Sequence, residues 1–62
     1  MRCKEQLDVS NGNILVEMMG KGYKPVDQYK CLESTYLLYE NKEDMVLIEV
    51  ADNHIVSATR YY

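Results

Sequence analysis

Residues 45–62, MVLIEVADNHIVSATRYY, constrain the fold more than any other stretch of this chain. Two apolar, β-branched runs flank Asp52, Asn53 and His54. Such runs around a short polar bend are the pattern of a β-hairpin. Asn53 tolerates a positive φ, so a two-residue turn and a three-residue loop with a bulge both fit the bend. The first places Val50 opposite Ile55 and Ile48 opposite Ser57. The second places Val50 opposite Val56 and Ile48 opposite Ala58. A slip of one residue turns every side chain to the other face of the sheet, and the second register groups more apolar atoms. It is therefore the expected one, with Val46, Ile48, Val50, Val56 and Ala58 turned toward the core.

Upstream, the pattern predicts one helix. Ser10 or Asn11 is placed to cap its first free N–H groups, and Ile14, Leu15, Met18 and Met19 recur on one face of a 3.6-residue period. Gly20 weakens the last turn, Gly22 is suited to a left-handed closure, and Lys21 lies near the negative end of the dipole. Residues 23–26 read as a connector or short edge segment, because Pro25 disfavours helix at Lys24 and removes a ladder donor. Residues 29–40 favour strand in their aromatic second half, and residues 41–44 make a polar turn. Residues 1–9 lack a clear period, with Leu7 and Val9 offering at most a short edge strand. The expected fold is α+β, one helix packed on a three-stranded antiparallel β-meander in the order helix-strand-strand-strand. Residues 1–62 form a single small domain.

A chain of 62 residues buries only about 60% of its unfolded surface, and a core of this size supplies about 3–5 kcal/mol. Chains so small often lean on a disulfide, a metal or a second subunit. Cys3 and Cys31 are too few for a disulfide framework and read as free thiols. Arg2, Lys4, Glu5 and Asp8 interrupt any signal-peptide pattern, and no stretch reaches the roughly 20 apolar residues of a membrane-spanning helix. The expected location is cytoplasmic. Ten carboxylates against seven Lys plus Arg give a net charge of −3, and the scattered basic residues argue against tight phosphate binding.

No constellation names a reaction. His54, the one histidine, has Asp52 nearby, but its candidate nucleophiles, Cys3, Cys31 and Ser57, lie in no recognisable nucleophile motif. It reads as the end of a turn, and the chain as a non-enzyme. Two distant cysteines and one histidine do not make a zinc set. Glu40, Glu43 and Asp44 crowd one turn without the alternating ligands of a calcium loop, and read as a solvated acidic loop. Gly20-Lys21-Gly22 follows a helix instead of leading into one, so it is a C-terminal cap and not a phosphate cradle. No cofactor or metal is expected.

The six tyrosines, without Trp or Phe, suit half-buried sheet positions and protein interfaces alike. A three-stranded sheet with one helix leaves a face open. The expected partner-binding residues are Tyr36, Met45, Leu47, Glu49 and Ile55, joined by Tyr61 and Tyr62 on a last strand with an unpaired edge. In size and acidic composition the chain resembles the small proteins that phages and mobile elements encode to bind and inhibit host machinery, anti-CRISPR proteins among them. That resemblance carries no motif and transfers no residue. It implies a protein-binding module that occupies a host protein's surface, with a homodimer as a further possibility. The alternative is a single-stranded nucleic-acid binder using Tyr23 and Tyr29 with Lys21, Lys24 and Lys30.

Overall fold

A computed structural model describes residues 3–10 and 13–62. Strand β1 (Lys4–Gln6) is followed by helix α1 (Ile14–Gly20) and then four strands, β2 (Lys24–Cys31), β3 (Ser34–Glu40), β4 (Met45–Ala51) and β5 (His54–Tyr61). All five strands form one antiparallel sheet in the order β1-β5-β4-β3-β2. Strands β2 to β5 are a meander, and β1 closes against β5 at the far edge. The fold is mainly β with one helix of 7 residues, which corrects the expected α+β helix on a three-stranded meander.

Two strands account for the correction. β1 is the polar triplet Lys4-Glu5-Gln6. It pairs with Tyr61, Arg60 and Thr59 through its backbone, and its side chains carry no apolar period. β2 is exposed along its whole length and pairs with β3 from Lys24↔Glu40 to Cys31↔Ser34, with a bulge between Pro25 and Asp27. Proline, a bulge and lysines are the features that keep an edge strand from pairing with another chain. β5 is thus not an edge over its second half. Tyr62 exchanges both backbone hydrogen bonds with Cys3, at 2.6 and 3.0 Å, which overturns the expected unpaired C-terminal strand.

The β4–β5 hairpin combines the two expected registers. Asp52 (φ 53°) and Asn53 (φ 64°) form a two-residue turn of the left-handed kind. Val50 therefore faces Ile55 and Ala51 faces His54. The register then shifts, so that Glu49 faces Ser57 and Ile48 faces Ala58. Val56 is the extra residue of the bulge. It is 42% exposed, while Ile55 packs against the core in its place. The expected core assignment of Val56 is corrected accordingly.

The core lies between α1 and one sheet face, and comprises Ile14, Met18, Tyr23, Val46, Ile48 and Ala58. Leu15 packs at its margin, but Met19 is 70% exposed. A helix of two turns presents only one narrow stripe, so Met19 falls outside it. The helix starts at Asn13, which has no side-chain capping bond. Ser10 instead donates its hydroxyl and its amide to Asp8 Oδ1, at 2.7 and 2.9 Å. Those two bonds hold the Asp8 carboxyl below its ordinary value. Asn11, the other expected cap, lies outside the described residues.

The C-terminal end of the helix follows expectation and adds to it. Gly22 has φ 84°. Its amide donates to the Met19 carbonyl at 3.2 Å and the Tyr23 amide to the Met18 carbonyl at 3.1 Å. These are the two bonds of a Schellman closure, which also brings the residue after the glycine against the helix's last buried side chain. Tyr23 and Met18 are that pair, and both are buried.

Candidate docking face

Because side chains alternate along a strand, the face opposite α1 is defined by register. Its rows read Lys4, Tyr61, Met45, Glu40 and Lys24, then Gln6, Thr59, Leu47, Leu38 and Asp27. Beyond them lie Ser57, Glu49, Tyr36 and Tyr29, and finally His54, Ala51, Ser34 and Cys31. No element among the described residues covers this face. Its central members are half-buried by one another, whereas Tyr29 at the β2 edge is 52% exposed.

Five of the seven residues expected at a partner surface meet here: Tyr36, Met45, Leu47, Glu49 and Tyr61. Ile55 does not, because the two-residue turn sets it opposite Val50 on the helix side, where it packs on the core. Tyr62 follows Tyr61 and so points to the other face, where its ring lies 4.2 Å from the Arg60 guanidinium. Leu38 and Tyr29 complete the face. Leu38 was within reach of the alternation with Tyr36, but Tyr29 belongs to a strand whose sequence has no clear period.

Glu49 stands on the central strand. Ser34 donates to its Oε2 at 3.0 Å and Ser57 to its Oε1 at 3.4 Å. Tyr36 is its direct cross-strand neighbour on β3, and Tyr29 faces Tyr36 on β2. The Tyr29 hydroxyl donates to Asp27 Oδ2 at 2.9 Å, and that bond to the carboxylate holds the phenol above its usual range. At the tip of the β2–β3 hairpin Leu32 adopts φ 55° and is 93% exposed.

The remaining polar groups hold the fold together. Tyr23 donates to Asp44 Oδ2 at 2.8 Å, Asp44 lies 3.6 Å from Arg60, and Arg60 lies 3.2 Å from Glu5. This chain links β1, β5, the β3–β4 turn and the segment leaving α1. Asn41 Oδ1 accepts the amides of Glu43 and Asp44, so the acidic loop is an ordered turn. Among the described residues no group of three His, Cys, Asp or Glu is placed to hold a metal.

His54 Nδ1 lies 3.0 Å from the Asp52 carbonyl oxygen, within the turn itself. Cys31 shares its row three strands away, about 14 Å at ordinary strand spacing, and Ser57 is engaged with Glu49. Cys3 and Cys31 are both free and exposed, at opposite margins of the sheet. Of the residues considered for nucleic acid, Tyr23 is buried and its ring is not available for stacking on a base. No helix among the described residues is long and apolar enough to cross a membrane.

No protein-family model, curated protein or solved structure matches the chain.

Proposed function

We propose that the chain is a non-enzymatic protein-binding module that docks a partner on the sheet face bearing Tyr36, Leu38, Met45, Leu47, Glu49 and Tyr61. The observation that carries this reading is the uncovered patch of Leu38, Leu47, Met45 and Tyr36 at the centre of a five-stranded sheet whose other face holds the core. Aromatic and methionine side chains ringed by polar ones are the composition of a protein interface. The two exposed thiols suit a reducing compartment, and we place the protein in the cytoplasm on that ground.

The test is affinity capture from the native host with wild type and Leu47→Glu, followed by hydrogen exchange on the complex. A partner that is lost with Leu47→Glu and protects β3 and β4 supports the reading. Capture unaffected by Leu47→Glu, with protection confined to other elements, overturns it. Circular dichroism of the variant checks that the fold is retained.

A further inference from the structure

We infer that the partner presents an arginine to Glu49, with the guanidinium paired to this carboxylate and stacked on the rings of Tyr36 and Tyr29. The inference rests on the docking face proposed above and names the chemistry that must cover its centre.

Glu49 is the one carboxylate on the middle strand of that face, with Leu47 and Ala51 two residues either side and Tyr36 and Ser57 directly across. It receives two neutral hydroxyl bonds, from Ser34 and Ser57. A carboxylate has about four acceptor sites, so roughly half remain for a partner. The ion pairs among the described residues, Arg60 with Glu5 and with Asp44, both involve Arg60 on the helix side, so no cation of the described chain meets Glu49. A partner that covers this face strips water from an anion, which is unfavourable unless it brings a compensating charge.

A second copy of the chain meets this requirement poorly. A two-fold axis through the middle of the face sets Glu49 near its own mate. The lysines of the face, Lys4 and Lys24, both lie in its outermost row on the edge strands. Sliding the copies until a lysine reaches Glu49 sacrifices overlap on a face only about 19 × 23 Å across by ordinary strand spacings.

Arginine fits better than lysine because the surroundings are planar as well as anionic. Its fork pairs both oxygens of a carboxylate, and its flat cation stacks on aromatic rings. Tyr36 and Tyr29 extend from Glu49 toward the β2 edge in one row, and Asp27 fixes the Tyr29 hydroxyl. The net charge of −3 favours the approach of a basic partner in the same sense.

The experiment pans a displayed random dodecapeptide library against the immobilised protein and maps the selected peptides by amide chemical-shift changes. Peptides are expected to share an arginine, to shift Tyr36, Glu49 and Tyr29, and to bind Glu49→Gln at least tenfold more weakly. Replacing the shared arginine by citrulline, an uncharged isostere, is expected to cause a similar loss without altering the protein, which keeps the test sound if Glu49→Gln fails to fold. Selected peptides that shift this face but share no arginine, or bind equally with citrulline, overturn the inference and leave the docking face standing. Peptides that leave the face unmoved, or no selection above a scrambled library, overturn both. Sedimentation showing a dimer, with amide shifts of Glu49 and Tyr36 that follow its concentration dependence, also overturns the arginine.

Discussion

The Tyr23 hydroxyl donates to Asp44 Oδ2 across 2.8 Å, joining the segment that leaves α1 to the turn between β3 and β4. The ring of Tyr23 is buried in the core, so this bond fixes where the helix end sits on the sheet. Tyr23→Phe keeps the ring and leaves Asp44 with Arg60 alone. The expected loss is about 1–2 kcal/mol by denaturant unfolding. Burial, with the Asp44 carboxylate beside it, pushes this phenol above its ordinary 10.0. The unfolded chain therefore releases the proton first as pH rises. Stability from this group is full below pH 10 and falls as pH climbs through 10 toward the folded value. Tyr23→Phe should lack that part of the alkaline decline, and an identical decline in the variant would refute the assignment.

Gly22, one residue earlier, has φ 84° and supplies the amide that closes the helix on Met19. Space is not the constraint, since nothing lies within 4 Å of where a Cβ would stand. The cost of Gly22→Ala is conformational, about 1–2 kcal/mol for a left-handed alanine. Gly20→Ala is the control. It lies in the helix with equally open space and no positive φ, and should gain up to about 1 kcal/mol. Thermal melts of the two variants moving in the same direction would contradict this account of the helix end.

These two positions illustrate what was legible in the sequence. Gly22 after a helical stripe, and β-branched runs around Asp52-Asn53, are local signals, and local chemistry decides them. β1 was not legible because Lys4-Glu5-Gln6 has no apolar period and its pairing with β5 is a backbone matter. The β2–β3 hairpin was missed because its tip, Leu32-Glu33, contains no usual turn residue, although Leu32 takes a positive φ. At the candidate face, strict alternation brought Met45, Leu47 and Glu49 together correctly. The same alternation separates Tyr61 from Tyr62, and Ile55 leaves the face because the two-residue turn, the register not preferred from the sequence, sets it opposite Val50 before the Val56 bulge restores the other register.

The bulge itself makes a prediction. Val56 is unpaired between Val50↔Ile55 and Glu49↔Ser57. Deleting it leaves every flanking side chain on its present face, because the turn and the distal ladder are already in compatible register. The deletion variant should fold and lie within about 1 kcal/mol of wild type. Deleting Ser57 instead leaves Val56 to take its place opposite Glu49, which removes one hydroxyl from that carboxylate and sets a valine against it. Nuclear Overhauser contacts between Ile48 and Ala58, retained in the first variant, check the register directly.

Ile48 is fully buried at the centre of β4, between Leu37 and Ala58 in register. Ile48→Ala should cost about 2–5 kcal/mol, most of the reserve of so small a core. Leu47→Ala, one position along on the half-buried open face, should cost clearly less. Equal losses in chemical denaturation would mean that the open face is packed as tightly as the core, and would remove the basis for treating it as a docking surface.

Leu32 joins a left-handed φ of 55° to a side chain that is 93% exposed. A left-handed conformation costs an ordinary residue about 1–2 kcal/mol, and asparagine tolerates it better. Leu32→Asn removes an apolar group that touches almost nothing in the folded chain and should raise stability by roughly 0.5–1 kcal/mol. Leu32 lies at the tip of the hairpin that carries Tyr29 and Tyr36, beside the docking face proposed above. The same substitution should therefore weaken any partner that docks on this end of the open face, raising the melting temperature while lowering affinity. If Leu32→Asn stabilises the protein and leaves partner affinity unchanged, the docking surface stops short of the hairpin tip and is confined to the middle of the sheet.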